Sequence, residues 1–315
     1  MNTAELPHTA ELSVPQIAGR PRSNSIAPRQ LTPADVLAQN RAWAAKMERE
    51  RPGFFEEMAK GQSPEYLWIG CADSRVPPNV VLGLEPGELF VHRNIANCVY
   101  STDLNVLGAI QYSVEVLKVK YILVVGHYGC GGVNAAMSDN DHGTLDNWLL
   151  PIKELYENKE PVLAGIKDDK HRAETMVEFN TLKSVESVCR TKSLQNAWKL
   201  GQEVKVIGWV YSLDSGTIKD LNVEVSSPAD VYKVTSLLAP GVGIDAAYPT
   251  TRDSESTLRR PDGKIALVRN DAQERKDLSG PGELGAGAVE TANAKGGKRK
   301  RSFSEAIQAF INLKF

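Results

Sequence analysis

A chain of 315 residues with 42% hydrophobic content can bury one large α/β core, although apolar residues thin out toward both ends. The formal net charge of -2 gives no electrostatic basis for nucleic acid or an anionic membrane as partner, and no run approaches the ~20 apolar residues of a membrane-spanning helix. Four cysteines are too few for a disulfide scaffold, which fits a reducing compartment.

Residues 1–30 are rich in Pro, Ser and Ala without period and read as a disordered arm. They hold no apolar signal-peptide core. Glu5 and Glu11 argue against a mitochondrial transit peptide, whereas Arg20, Arg22, Arg29 and several serines argue for one, so cytoplasm is expected with mitochondrion as the alternative. The run Arg20-Pro21-Arg22-Ser23-Asn24-Ser25 fits a basophilic kinase site or an ordinary polar tail. Thr32-Pro33 then opens a helix, with Thr32 as N-cap and Val36, Leu37, Trp43, Ala44 and Met47 near helical spacing.

Residues 67–71, 89–93 and 121–126 are apolar runs of strand length. Before the third, Leu104, Leu107, Ile110, Val114 and Leu117 repeat every three or four residues, with Asp103 near the start. Strands separated by crossover helices predict a parallel sheet. Helices are expected over 145–156, over 174–189 and after Ser193; 204–211 reads as a strand, and Asp214-Ser215-Gly216 turns it into an antiparallel edge strand over 217–223. The fold expected is α/β: a mostly parallel central sheet with an antiparallel edge strand, flanking helices and an N-terminal helical arm.

From residue 224 onward no period is sustained, so 224–315 reads as a largely disordered extension. Within it, Lys298-Arg299-Lys300-Arg301 fits a nuclear-import signal or a solvated basic run, and residues 303–315 carry a partly helical apolar spacing that suits a partner or the core.

Two loops at strand ends carry the chemistry. Cys71, Asp73 and Arg75 follow the first strand, and His127 and Cys130 follow the third within Gly126-His127-Tyr128-Gly129-Cys130-Gly131-Gly132. Two thiolates and one imidazole form a catalytic ligand set for zinc, with the fourth position open, whereas structural sites close all four. Glycines at 129, 131 and 132 suit the turn that aims His127 and Cys130 at one ion. The competing reading of Cys71 and Cys130 is a pair of core thiols or a disulfide. Asp73 is close enough to reach the open position, and Arg75 can hold it in a bidentate pair, either for catalysis or simply to stabilise the loop. Cys98 and Cys189 read as inert core thiols. His92 reads as a core or interface residue, and His142 as a proton relay or an ordinary loop histidine.

Cys-x-Asp-x-Arg followed by His-x-x-Cys-Gly-Gly resembles the β-class carbonic anhydrases, and residues 66–71, 85–97 and 208–211 match that pattern as well. The resemblance covers roughly residues 31–223, taken as the catalytic domain. It implies reversible hydration of carbon dioxide to bicarbonate, one zinc ion per subunit on Cys71, His127 and Cys130, and a homodimer or tetramer whose N-terminal helices reach onto the partner. It also implies that Asp73 and Arg75 orient the attacking hydroxide, and that Tyr112 and Gly131 line the substrate pocket. In the bicarbonate-regulated branch, Trp68, Arg93 and Tyr211 would form a non-catalytic bicarbonate pocket, with Asp73 closing onto zinc; the plainer reading makes Trp68 and Tyr211 strand aromatics. The nearest rivals are hydrolysis of carbon disulfide or carbonyl sulfide on the same ligands, and a catalytically silent zinc sensor, against which the intact Asp73 and Arg75 speak. An alcohol dehydrogenase is excluded by the lack of a dinucleotide-binding glycine fingerprint.

Overall fold

Thr32 starts the first described helix as its residue type suggests. In this computed structural model, which describes residues 30–244, Thr32 and Asp35 cap each other reciprocally at the head of α1 (Pro33–Glu50). The expectations for residues 1–29 and 245–315 lie outside the described residues. The chain divides into two units, Met1–Lys60 and Gly61–Phe315. The first contains α1 and the short α2 (Phe54–Ala59), with Trp43 edge-on to Phe55 at 5.6 Å. No residue of α1 is buried, and Val36, Leu37 and Trp43 expose an apolar stripe.

The second unit is built on β1 (Tyr66–Cys71), β2 (Leu89–Asn94), β3 (Tyr121–His127), β4 (Lys205–Tyr211) and β5 (Ile218–Val225), in sheet order β2-β1-β3-β4-β5. The first four strands pair in parallel and β5 runs antiparallel on the edge, as the alternation of strand and helix patterns predicts. Its helices are α3 (Pro78–Leu82), α4 (Leu104–Gln111), α5 (Gly131–Ala136), α6 (Thr144–Leu163), α7 (Asp169–Cys189), α8 (Lys192–Lys199) and α9 (Val231–Leu238). Asp103 caps α4 by accepting from the Asn105 amide. At Tyr112 this helix widens into a π segment, Tyr112–Leu117, which Lys118 ends at φ 58°. The helices α2, α3 and α5 escape sequence reading because they are too short to show a period.

One sheet face presents Leu67, Ile69, Ile122, Val124 and Val206 to a core that includes Met176 and Phe179 of α7. The other face packs Trp68, Leu123 and Val125 on Val76 and Leu82. Because β1 and β3 are covered on both faces, they read as continuous apolar runs rather than as alternation.

The reading of 224–315 as a largely disordered extension requires correction over 224–244. Strand β5 runs on to Val225, and α9 buries Val234 and Leu237 against the main core, as does Ile244 beyond it. Eight residues of helix give too little period to stand out beside the Ser-Ser-Pro and Pro-Gly breakers. Fully buried Lys159 of α6 also holds this segment, donating to the carbonyls of Leu237, Ala239 and Val242 at 2.8, 2.7 and 3.1 Å. These are carbonyls at and just beyond the end of α9, where a cation is favoured by the helix dipole. Among the described residues, no helix is long and apolar enough to cross a membrane.

Candidate metal centre

Cys71 ends β1, His127 ends β3, and Cys130 stands at the N-cap of α5. From β1 the chain moves outward to β2 on one side and returns to β3 on the other. The three residues therefore gather at the carboxyl edge where strand order reverses, the usual place for a site in an open α/β sheet. Their donor atoms all lie within 4.8 Å of one another. The two sulfurs are 3.9 Å apart and both cysteines are free, which removes the disulfide reading. Gly129 adopts φ 69° in the turn between His127 and Cys130, and a Cβ on Gly132 would come within 2.7 Å of the Ile95 side chain.

The protonation pattern suits a cation. His127 is buried, with Nδ1 3.1 Å from the Tyr128 carbonyl and no hydrogen-bond partner on Nε2. A carbonyl only accepts, so Nδ1 carries the proton and Nε2 presents a bare lone pair to the two sulfurs. The hydrogen bond with Cys130 leads in holding the Cys71 thiol down to about 4, while that same contact, followed by burial, pushes Cys130 up. A buried thiolate beside a neutral thiol and an orphaned imidazole nitrogen lack positive charge. A divalent ion supplies it, and the mixed N and S donors match zinc, leaving one position for water.

Beside this trio, Arg75 grips Asp73 in a fork. Its Nε and backbone N–H both donate to Oδ1 at 2.9 Å, and Nη2 donates to Oδ2 at 2.7 Å. This fork holds the Asp73 carboxyl far below the usual carboxylate range. Asp73 Oδ2 lies 3.8 Å from His127 Nε2, so the carboxylate faces the ligand cluster. Arg93 clamps the same loop from β2, donating through Nε to the Cys71 carbonyl at 2.8 Å and through Nη2 to the Asp73 carbonyl.

Register places Trp68, Arg93 and Tyr211 on one face of the sheet, and Trp68 and Tyr211 belong to one apolar cluster. Trp68 is fully buried with its indole N–H unpartnered. Tyr112 begins the π segment, its ring 5.7 Å from that of Phe90, and Gly131 opens α5 immediately after Cys130. Cys98 and Cys189 are buried core thiols, and burial pushes Cys98 up to about 12. His92 is buried near Asn94, where desolvation lowers it, and His142 contacts Ser138.

Several residues behind the ligands carry no sequence motif. Ala96 takes a left-handed φ of 62° and accepts from Asn180 Nδ2 of α7 at 2.8 Å. Alanine rarely adopts this conformation, so nothing in its residue type announces the turn. On α7, Thr175, Glu178, Asn180 and Thr181 are buried polar side chains. The available sequence signal is the interruption of the helix's apolar face by polar residues.

A mostly parallel α/β sheet with a Cys-His-Cys trio and an Asp–Arg ion pair at its carboxyl edge is the arrangement of a metal-dependent enzyme. The carbonic anhydrase family model matches residues 66–218. A carbonic anhydrase of Emericella nidulans is 46% identical over 203 residues, covering 64% of this chain and 89% of the relative. A structure of tetrameric β-carbonic anhydrases from Sordaria macrospora aligns at 40% identity and TM-score 0.58, covering 61% of this chain and 97% of that one. The Coccomyxa β-carbonic anhydrase in complex with acetazolamide aligns at 34% identity and TM-score 0.60, covering 64% and 95%. This chain belongs to the β-carbonic anhydrase family.

Proposed function

We propose that the protein interconverts carbon dioxide and bicarbonate, with one zinc ion per subunit held by Cys71, His127 and Cys130. The observation that carries this reading is the convergence of those donors within 4.8 Å, with the Asp73–Arg75 fork beside them. Zinc, when bound, acts as a Lewis acid that makes water a competent nucleophile, and two thiolate ligands temper its charge so that activity rises toward alkaline pH. Asp73 Oδ2 would accept a hydrogen bond from the attacking water and so turn the oxygen lone pair toward the substrate carbon. Arg75 holds that carboxylate in place and keeps it an acceptor. Tyr112 and Gly131 are assigned to the wall of the substrate pocket. Stopped-flow hydration by zinc-quantified protein from about pH 6.5 to about pH 9 tests the reading, with activity expected to rise across that range. Zinc-loaded protein that is inactive at the alkaline end would refute it.

The same reading assigns Trp68, Arg93 and Tyr211 to a non-catalytic bicarbonate pocket that inhibits by favouring a state with Asp73 on the metal. Its support is the unpartnered Trp68 indole N–H and the shared sheet face. Assembly as a dimer or tetramer is supported by the apolar stripe exposed on α1 and by the tetrameric Sordaria relative.

A further inference from the structure

Glu178 of α7 is buried, yet its carboxylate is matched from two other elements. Oε1 accepts from the Tyr128 hydroxyl at 2.5 Å and from Lys219 Nζ of β5 at 2.6 Å. An uncompensated carboxylate at this depth is costly, and the lysine and the phenol together offset its burial. Tyr128 is also the residue whose backbone frames the imidazole of His127. Its carbonyl takes Nδ1 at 3.1 Å, and its own N–H donates to the Tyr211 carbonyl at 3.0 Å. The residue whose carbonyl selects the His127 tautomer is therefore held through its own N–H by strand β4 and through its phenol side chain by Glu178 in the core.

We propose that Glu178 is a positioning residue for His127, acting through Tyr128, with Lys219 as its counter-charge. In this arrangement a carboxylate on α7 sets the direction of Nε2 without touching the metal. Partners one step behind a ligand are commonly needed to hold its ring orientation, and their loss costs about 10- to 100-fold in metal affinity. The network also ties the edge strand β5 to the ligand turn, so a lysine far along the chain helps determine how His127 is presented. Packing alone is the rival explanation: the hydroxyl could serve only to satisfy a buried acid, and the imidazole would then be held by the backbone whatever happens to the phenol.

This inference rests on the reading of Cys71, His127 and Cys130 as metal ligands. The test uses the full chain with Tyr128→Phe, which deletes one hydroxyl and leaves Glu178 paired with Lys219, and with Glu178→Gln as second variant. Two readouts are taken: the rate at which a chelator strips zinc, and the visible spectrum of the cobalt(II)-substituted protein, which responds to ligand geometry rather than to global stability. Tyr128→Phe is expected to lose zinc about tenfold faster and to show shifted cobalt bands. A rate change below about threefold, or an unshifted spectrum, overturns the inference. If Glu178→Gln does not fold, Tyr128→Phe alone decides the matter. A wild-type protein that binds neither zinc nor cobalt overturns the metal reading itself, and is recognised before any variant is compared.

Discussion

The two loops that meet at the metal centre are held in opposite ways. The turn from His127 to Cys130 is fixed from inside, by the Tyr128–Glu178–Lys219 network, by the Tyr211 carbonyl and by close packing of Gly132 on Ile95. The Asp73 loop is held from outside, by Arg75, whose side chain is 58% exposed, together with the Arg93 clamp on its backbone. Buried, charge-compensated contacts resist movement, whereas an ion pair facing solvent is weakened by competing water and salt. On the proposed reading, this difference would separate a rigid metal cradle from a carboxylate free to change partners, which is what both catalysis and a bicarbonate-driven switch would ask of them.

The strongest way to break this comparison is at the rigid side. Cys130→Ser should abolish stoichiometric zinc, measured by metal analysis, and reduce hydration by roughly a thousandfold or more, since the residue supplies one of three ligands. Asp73→Asn should keep zinc and lose hydration by about a hundredfold, because the amide fits the Arg75 fork poorly and no longer accepts as a carboxylate does; stopped-flow rates beside zinc content check this. Parallel loss of zinc in that variant would erase the distinction between cradle and switch. Trp68→Phe should weaken bicarbonate inhibition several-fold, on the order of one lost hydrogen bond, with zinc content unchanged, and inhibition curves at fixed pH decide it. At the small end, raising ionic strength should alter bicarbonate inhibition more than zinc retention, because Arg75 is the more exposed cation, at 58% against 39% for Lys219.

The legibility of the molecule follows the same divide. Cys71, Asp73, Arg75, His127 and Cys130 are recognisable because metal chemistry restricts residue type and because they follow strands whose apolar runs are plain. The parallel pairing follows from the alternation of those runs with helical patterns and the antiparallel edge from the Asp214-Ser215-Gly216 turn, whereas the order of the strands comes only from the fold. What holds the site from behind does not announce itself. Glu178 and Asn180 look like ordinary helical polar residues until the fold buries them, and Ala96 reaches a left-handed turn that its residue type disfavours. Helix α9 hides for another reason: its order comes from packing on α7 and from the buried Lys159, both distant in sequence.

The separation of the ligands along the chain has a kinetic side. Cys71 and Cys130 stand 59 positions apart, and only the pairing of β1 with β3 brings them together. Before that pairing, the His127–Cys130 turn is at best a two-donor chelate, a poor trap for a divalent ion. If zinc is held as proposed, firm binding would report a finished sheet: metal capture would come late in folding, and release of the ion should be among the earliest signals that β1 and β3 have begun to part.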